Sequence, residues 1–265
     1  MSKMISKAFE NKKAFIAFIT GGDPDIETTE KLILSIQNAG ADNACVDMIE
    51  IGIPFSDPVA EGEVIQNADE RALKSGTTTD KLFDMVNRIK DQITIPLLFM
   101  TYLNPIFTYG KEKFMKNCKN CGISGVIVPD MPFEERDELS GVCEKYGIDL
   151  ISMIAPTSSE RIQMIAKEAK GFLYCVSSLG VTGIRSEIKT DIKNMIGEVK
   201  KVSDIPCAIG FGISTPEQAK NMADIADGVI VGSAIVKIIG EYGRDSVEPV
   251  IKYINEMKSA ILSEK

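Results

Sequence analysis

Eight short apolar runs recur along the chain, and each is followed by turn residues and a segment with helical periodicity. Most runs are continuously apolar and do not alternate, which indicates strands buried on both faces, as in a parallel sheet covered by helices. Eight strand–helix units in 265 residues are typical of a single (β/α)8 TIM barrel of the α/β class. The predicted strands are residues 15–20, 48–53, 96–101, 125–128, 149–154, 171–177, 205–210 and 228–231.

Amphipathic segments between these runs predict helices, for example over residues 27–39, 133–146, 216–222 and 247–262. An open, doubly wound sheet is the alternative fold, but it normally has fewer strands. No Pro- or Ser-rich linker and no break in composition divides the chain, so we expect one domain over residues 1–265. In a TIM barrel the active site lies in the loops after the strands, so polar residues there carry the most functional weight.

The charge balance limits the possible functions. Asp and Glu number 38 against 30 Lys and Arg, a net charge of −8, with no cationic block. A chain this acidic binds nucleic acids and anionic membranes poorly, so a phosphate site would have to be built locally from backbone dipoles. The chain contains no histidine, which excludes Ser–His and Cys–His nucleophile pairs. Acid–base chemistry would therefore use Glu, Asp, Lys, Tyr or Cys.

The N-terminal residues lack the pattern of a signal peptide, and no apolar run reaches the ~18 residues that span a bilayer. We therefore expect a cytoplasmic protein. The six cysteines are scattered along the chain, which favours reduced thiols. Cys118 and Cys121 form a CxxC motif at a predicted helix end, but there is no second such pair. Thiols on a helix are favoured over a zinc site, and no metal is predicted.

Glu50 lies between Ile49 and Ile51 inside a predicted strand. If both isoleucines face the helices, the period of two turns Glu50 into the barrel interior. An isolated carboxylate there is costly, so we expect a raised pKa and an acid–base role. The alternative is a structural carboxylate bonded to neighbouring strands. Glu61 or Glu63 could supply a second carboxylate facing Glu50, and for each the alternative is a solvated surface charge.

Glycines cluster after the last three predicted strands, in the strings GVTG, GFGIS and GSAIV. They let backbone N–H groups approach an anion, and Ser233 is expected to N-cap a short helix whose dipole favours phosphate. Phosphate sites in barrels commonly use the loops after strands 7 and 8 and such an extra helix. We therefore predict a phosphate site at Gly183, Gly212, Gly232 and Ser233, with simple tight turns as the alternative.

At these residues the chain resembles the alpha subunit family of tryptophan synthase. The matching strings occur in order over nearly the whole chain, and the combination of EIGIPFSDP with GVTG and GSAIVKI is the most specific part. The strings are FITGGDPD, GAD, IEIGIPFSDPVAEG, IQNA, YLNPIF, VPDMPFEE, APTSSERI, YCVSSLGVTG, GFGIS and GSAIVKII.

The resemblance implies a lyase of tryptophan biosynthesis that cleaves indole-3-glycerol phosphate to indole and glyceraldehyde 3-phosphate. It implies that Glu50 is the acid–base residue and that Glu61 meets the indole nitrogen. Two carboxylates can perform this chemistry without histidine or a cofactor. Tyr102 and Tyr174 match tyrosines that line the family's substrate pocket. Further candidates for the indole slot, each with ordinary barrel core as the alternative, are Phe99, Met153 and Phe211.

The chain departs from the family pattern at three places. Glu61 stands where the family has an aspartate, and its extra methylene moves the carboxylate outward by ~1.5 Å, a displacement large enough to lower activity. Glu63 stands where the family usually has proline. Residues 43–47 form an extra stretch before the second strand. These departures bear on the efficiency of the site more than on its identity.

The resemblance also implies a beta-subunit partner, in an assembly of two alpha and two beta subunits. The beta subunits would carry pyridoxal phosphate, and this chain would bind no cofactor. The apolar stretch 104–109 is predicted to be a loop at the barrel mouth, where a partner would bury Ile106 and Phe107. Two other functions stay open at this point. One is another phosphate-binding barrel enzyme, and the other is a weakly active subunit that mainly activates a beta partner.

Overall fold

The computed structural model describes residues 3–38, 46–176, 185–210 and 212–262, with the backbone alone for residue 3 and residues 185–190. In the described residues, eight parallel strands form a closed barrel in the order β1 to β8. The predicted TIM barrel is therefore confirmed, with strand boundaries within two residues of those predicted. The strands are β1 (Ala14–Thr20), β2 (Met48–Gly52), β3 (Leu97–Met100), β4 (Gly125–Ile127), β5 (Asp149–Ile154), β6 (Leu173–Val176), β7 (Cys207–Gly210) and β8 (Gly228–Val231).

Helices alternate with the strands and cover the outside of the barrel. In the described residues they are α1 (Lys3–Ala8), α2 (Ile26–Ile36), α3 (Glu63–Lys74), α4 (Thr79–Ile89), α5 (Leu103–Tyr109), α6 (Lys111–Cys121), α7 (Asp137–Tyr146), α8 (Ser159–Glu168), α9 (Arg185–Lys200), α10 (Pro216–Ala223), α11 (Ser233–Tyr242) and α12 (Val247–Leu262). Short 3-10 helices occupy Lys90–Gln92, Phe133–Glu135 and Gly243–Asp245. None of the helices in the described ranges is long and apolar enough to cross a membrane.

Two sequence predictions about helices are wrong in detail. The helix predicted over residues 133–146 is a 3-10 turn followed by α7. The stretch 104–109, predicted to be a loop, belongs to α5. Pro105 does not prevent this helix, because it lies in the first turn, where the backbone N–H has no intrahelical acceptor to lose.

Alternation along the strands divides the apolar side chains into two layers. Ile49 and Ile51 pack between the barrel and the helices, whereas Met48 and Leu98 pack in the barrel interior. The fully buried Ile5 of α1 joins the interior cluster. A helix of six residues is unstable alone, so this burial stabilises α1. The barrel interior is thus closed at the N-terminal ends of the strands and open at their C-terminal ends.

Asp47, at the end of the extra stretch 43–47, fastens the start of β1. Its carboxylate accepts two hydrogen bonds, one from the Phe15 N–H at 2.8 Å and one from the Lys12 ammonium at 2.5 Å. It also pairs with Lys258 of α12. The part of this stretch that the structure describes, from residue 46 onward, therefore joins β1 to the last helix.

The CxxC cysteines lie on α6, as predicted. Both thiols are buried and free, as are the three other cysteines of the described residues. Burial raises the pKa of Cys118 and of Cys121, which keeps them protonated and unreactive at neutral pH.

Candidate active site

A cavity of about 440 Å³ lies at the C-terminal ends of the strands. Barrel strands, α3 and the loops after β4 and β7 supply its apolar side chains, whereas the loops after β2, β7 and β8 supply its polar and small residues. The apolar wall is Phe18, Ile65, Met100, Pro129, Met153, Tyr174, Val176, Ile213 and Ile230. The polar side is Ala60, Glu61, Gly62, Gly212, Ser214, Gly232, Ser233 and Ala234. A flat apolar group and a phosphorylated group would thus meet different sides of one cavity.

Glu50 lies in the middle of β2 and is 0% exposed. The strand register places it beside Phe18 of β1 and Leu98 of β3. Neither carboxyl oxygen has a hydrogen-bond partner among the described residues, so a purely structural bond to neighbouring strands has no support. Burial raises the pKa of Glu50 to about 8. The predicted inward orientation and raised pKa are confirmed, and the carboxyl group holds its proton at neutral pH.

Glu50 is absent from the described wall of the cavity, but two residues close to it, Phe18 and Tyr174, belong to that wall. The Phe18 ring approaches Gly52, the next inward-facing residue above Glu50, so closely that a Cβ there would lie 2.7 Å from the ring. Burial raises the pKa of the Tyr174 hydroxyl, and the nearby Glu50 charge raises it further. Tyr174, a predicted site residue, thus lies both in the cavity wall and within electrostatic reach of Glu50.

Glu61 is half-buried in the loop between β2 and α3 and lines the cavity. Burial raises the pKa of its carboxyl group, while hydrogen bonds from Asp69 and Tyr102 oppose the rise. Glu63 and Asp57, by contrast, are exposed. Of the acidic residues considered in this loop, Glu61 is therefore the one that faces the cavity.

Tyr102 is only 2% exposed and lies beneath the loop that carries Glu61. Its hydroxyl oxygen accepts the Ala60 N–H at 2.9 Å, and the nearby hydroxyl group acts to lower the pKa of the Glu61 carboxyl group. Tyr102, like Glu50, is absent from the described wall of the cavity, so its predicted contact with the substrate stays a prediction. Its bond to Ala60 supports the loop that carries Glu61.

Sequence reasoning missed several residues of the cavity wall, among them Phe18 and Met100, and it also missed Asp69, which acts electrostatically on Glu61. It is 4% exposed and lies on the buried face of α3 with Ile65, Ala68 and Ala72. These positions have the spacing i, i+3, i+4 and i+7, which marks the core-facing stripe of a helix. An aspartate on such a stripe is the signal that could have found it, because a buried carboxyl needs a partner.

The predicted phosphate residues that the structure describes come together at one edge of the cavity. Gly212 has a φ of +73° in the loop after β7. Gly232 is the N-cap of α11, and Ser233 is its first residue. The prediction that Ser233 is the N-cap is thus wrong, because the chain already enters helical geometry at Ser233. The N–H groups of this first turn lack intrahelical acceptors and favour an anion.

The loop after β7 is ordered by the helix that follows it. Thr215 and Gln218 form a capping box at the start of α10. The Gln218 side chain also accepts the Ser214 N–H at 2.8 Å. These bonds hold the chain beside Gly212. Two other predicted site residues, Gly183 and Phe211, lie outside the described residues.

Two residues considered for the indole slot have different outcomes. Met153 lines the cavity. Phe99 is fully buried outside the barrel, against Phe83 at 5.4 Å and Phe114 at 6.4 Å between ring centroids. The prediction for Phe99 is wrong, since alternation along β3 directs Leu98 inward and Phe99 toward the helices.

The barrel carries an interior carboxyl group, a second carboxylate and a helix N-terminus at the C-terminal ends of its strands. This combination is typical of the class of barrel enzymes that use acid–base chemistry. Within this class, the chain belongs to the tryptophan synthase alpha chain family, whose model matches residues 4–262. The known role of this family is the lyase cleavage of indole-3-glycerol phosphate in tryptophan biosynthesis. The predicted family, reaction and enzyme class are therefore confirmed, and another phosphate-binding barrel enzyme is excluded.

Individual relatives match this chain over nearly their full lengths. The tryptophan synthase alpha chain of Lacticaseibacillus casei is 46% identical over 265 residues, which cover 100% of this chain and 97% of that one. The alpha subunit of Legionella pneumophila str. Paris is 37% identical, with a TM-score of 0.87 over 98% of this chain and 99% of that one. A chain from the tryptophan synthase complex of two alpha and two beta chains of Pyrococcus furiosus is 35% identical, with a TM-score of 0.83 over 93% and 98%.

Proposed function

We propose that Glu50 and Glu61 perform the family's cleavage of indole-3-glycerol phosphate at the cavity above β2. This proposal rests on the environment of the Glu50 carboxyl group. It is fully buried, has no hydrogen-bond partner among the described residues and has a pKa raised to about 8. A carboxyl group that is protonated at neutral pH can donate a proton and later take one back.

Cleavage requires two proton movements around one carbon–carbon bond. Glu50 donates its proton to C3 of the indole, which leaves positive charge on the indole nitrogen. The Glu50 carboxylate then removes the proton of the side-chain hydroxyl next to the ring. As the aldehyde forms, the bond to C3 breaks and its electron pair restores the aromatic indole. Glu50 ends protonated, so the products are indole and glyceraldehyde 3-phosphate with no net gain or loss of protons.

Glu61 would stabilise the positive charge that develops on the indole nitrogen. It lines the cavity beside the apolar wall, where a carboxylate acts with little screening by water. Tyr102 supports it from below through Ala60. The Gln66 side chain also donates to the backbone carbonyl oxygen of Glu61 at 2.7 Å, so hydrogen bonds hold the backbone on both sides of the Glu61 side chain.

The phosphate would bind the N–H groups at Gly212, Gly232 and Ser233, and Gly183 remains part of this proposal from the sequence. Gly212 and the first turn of α11 face the same cavity. A helix N-terminus and glycines without side chains bind phosphate without a basic residue. This is consistent with a chain of net charge −8.

The reaction is tested by incubating the purified chain with indole-3-glycerol phosphate and measuring both products. We expect equal amounts of indole and glyceraldehyde 3-phosphate, without added metal or pyridoxal phosphate. Turnover that requires an added cofactor would contradict the proposal that this chain works with carboxylates alone. No detectable cleavage, alone or with a beta subunit, would contradict the function itself.

Replacing Gly212 should weaken phosphate binding. Gly212→Val places a branched side chain at a φ of +73°, which blocks the approach of the phosphate to the backbone. We expect KM to rise at least ~10-fold, with a smaller change in kcat. Gly122→Val is the matched control, because Gly122 also has a positive φ, +78°, but lies at the end of α6 with open space around it. Equal KM values in the two variants would show that Gly212 does not contact the phosphate.

We propose that the chain binds a beta subunit in an assembly of two alpha and two beta chains, and that pyridoxal phosphate is held by the beta chains. The described side chain that supports an interface is Phe107 on α5, which is 42% exposed. Ile106, in contrast, is fully buried in this chain's own core. The prediction that a partner buries Ile106 is therefore wrong, and Phe107 alone is proposed as the contact.

Phe107→Ala should weaken binding of a beta subunit by ~10-fold or more, the usual effect of removing a central aromatic contact. Met164→Ala is the control, because Met164 is similarly exposed, at 41%, but lies on α8. Binding is measured by calorimetry, together with turnover of the alpha chain with and without the beta subunit. A chain that stays almost inactive both alone and in the complex would support the alternative of a mainly activating subunit.

Two further proposals concern the domain organisation and the location of the chain. We propose that residues 1–265 form one domain, because the barrel strands and α12, which packs against α2, belong to one continuous set of contacts. We also propose a cytoplasmic location, which free thiols at Cys118, Cys121 and the other described cysteines favour.

A further inference from the structure

The phosphate edge of the cavity has two parts, which are held in different ways. The first turn of α11 continues directly from β8, so a strand and a helix together fix Gly232 and Ser233. The described part of the loop after β7, residues 212–215, has neither a strand nor a helix. Such a segment needs contacts from other elements to hold its backbone N–H groups in one direction.

Ser214 of this loop is bonded on both sides of its backbone. Its N–H donates to the Gln218 side chain at 2.8 Å, and its carbonyl oxygen accepts the O–H of Tyr253 at 3.0 Å. Gln218 belongs to α10 and lies only four positions further along the chain. Tyr253 belongs to α12 and lies 39 positions further along. The loop is therefore held both by the helix that follows it and by the last helix of the barrel.

Tyr253 comes from a firmly packed helix. Val250, Ile254 and Met257 of α12 are fully buried, and α12 packs against α10. The Tyr253 ring is half-buried against the core outside the barrel. Burial raises the pKa of the Tyr253 hydroxyl to about 12, so the group stays an O–H donor at neutral and moderately alkaline pH.

These bonds leave two N–H groups of the loop available to a ligand. Within the described residues, the N–H groups of Gly212 and Ile213 have no acceptor, and both residues line the cavity. The Ile213 side chain is anchored in the core outside the barrel. With Ile213 anchored and Ser214 bonded on both sides, the loop has little freedom to turn. N–H groups that are already ordered bind an anion more strongly than those that must first be ordered.

We propose that Tyr253 is a positioning residue for the phosphate, because its bond to the Ser214 carbonyl oxygen holds the loop after β7 in the conformation that receives the anion. Tyr253 itself is absent from the described wall of the cavity, so it acts through Ser214. This inference rests on the phosphate site of the proposed function and deepens it. The proton transfers assigned to Glu50 do not depend on Tyr253, so KM and kcat should respond differently.

Tyr253→Phe removes the hydroxyl and keeps the ring. We expect KM for indole-3-glycerol phosphate, and Kd for inorganic phosphate measured by 31P NMR, to rise ~3–10-fold, the usual effect of one lost hydrogen bond. The kcat should stay within ~2-fold of the parent. Tyr146→Phe is the matched control, because Tyr146 is also half-buried and donates to Glu112 at 2.8 Å, but it joins α7 to α6. It should leave all three constants unchanged.

Two other measurements separate positioning from a general structural defect. The affinity for indole, which carries no phosphate, should be equal in the parent and in Tyr253→Phe. Urea unfolding should show similar losses of stability in Tyr253→Phe and Tyr146→Phe, because each loses one hydrogen bond. If Tyr253→Phe weakens the binding of indole as much as that of phosphate, the cavity as a whole is disturbed and the inference is wrong.

The outcomes also distinguish this inference from the proposed function. If the parent cleaves indole-3-glycerol phosphate and Tyr253→Phe keeps both KM and the Kd for phosphate, the inference is overturned and the function stands. If the parent does not cleave the substrate but Tyr253→Phe still weakens phosphate binding, the inference stands and the function is rejected. A parent that neither cleaves the substrate nor binds phosphate would overturn both.

Discussion

Glu50→Gln should lower turnover at least ~100-fold while the fold and the affinity for substrate are retained. The glutamine has nearly the same shape as the protonated glutamate, but it can neither donate a proton to C3 nor accept one from the hydroxyl. A loss of this size is usual for a group that transfers a proton in the rate-limiting step. The measurement is kcat with indole-3-glycerol phosphate, together with binding of a non-cleavable analogue.

The analogue distinguishes a chemical defect from a structural one. Equal binding in the parent and in Glu50→Gln, with a large loss of kcat, is the expected combination. Near-normal kcat in the variant would rule out Glu50 as the acid–base residue. Above pH 8, kcat of the parent should also fall, because Glu50 loses the proton that it must donate.

The same substitution should stabilise the protein at alkaline pH. The pKa of Glu50 is about 8 in the folded chain, compared with an ordinary value of 4.5. The folded state therefore holds the proton more tightly, and the free energy of unfolding falls as pH rises from about 4.5 to about 8. Glutamine does not titrate, so it removes this dependence. Near pH 8 we expect Glu50→Gln to be more stable than the parent by on the order of 4 kcal/mol, with little difference near pH 4.5.

Urea unfolding at several pH values tests this expectation. The difference between the two proteins should grow steadily from pH 5 to pH 8. A constant difference over that range would mean that Glu50 titrates normally in the folded state. Loss of activity together with a gain of stability is the pattern expected for a residue kept at a cost in stability because the chemistry needs it.

Glu61→Gln should remove most of the activity, by roughly 10–100-fold, whereas Glu61→Asp should keep or raise it. The amide cannot offset the positive charge that develops on the indole nitrogen, but the aspartate retains the negative charge at the cavity wall. Both variants keep the bond from the Ala60 N–H to the Tyr102 hydroxyl, so the loop should stay in place. The readouts are kcat and KM for each variant at pH 7.

Glu63→Gln is the control for this pair. Glu63 lies two positions further on, is exposed and begins α3, so its loss should leave kcat unchanged. Identical activity in the parent, Glu61→Gln and Glu61→Asp would show that Glu61 takes no part in the chemistry. The chain would then work with Glu50 as its single catalytic carboxyl group.

The sequence by itself was sufficient for the fold and for the inward orientation of Glu50. Continuous apolar runs and helical segments in alternation are local patterns, and eight of them leave few architectures other than the barrel. The orientation of Glu50 followed from the period of two along β2, since Ile49 and Ile51 had to face the helices. The glycines after β7 and β8 likewise indicated the phosphate edge, because the ends of parallel strands meet at one end of a barrel.

Tertiary structure decided the position of residues whose neighbours are distant or whose pattern is ambiguous. Phe99 could not be placed from sequence, because a strand buried on both faces has apolar residues on both sides and no contrast between them. The Tyr102 hydroxyl accepts the Ala60 N–H across 42 positions of the chain, a contact that depends on the path of the loop. Asp69 acts electrostatically on Glu61 from the buried face of α3. No periodicity in the sequence determines that proximity, because it depends on how the loop before α3 folds back on the helix.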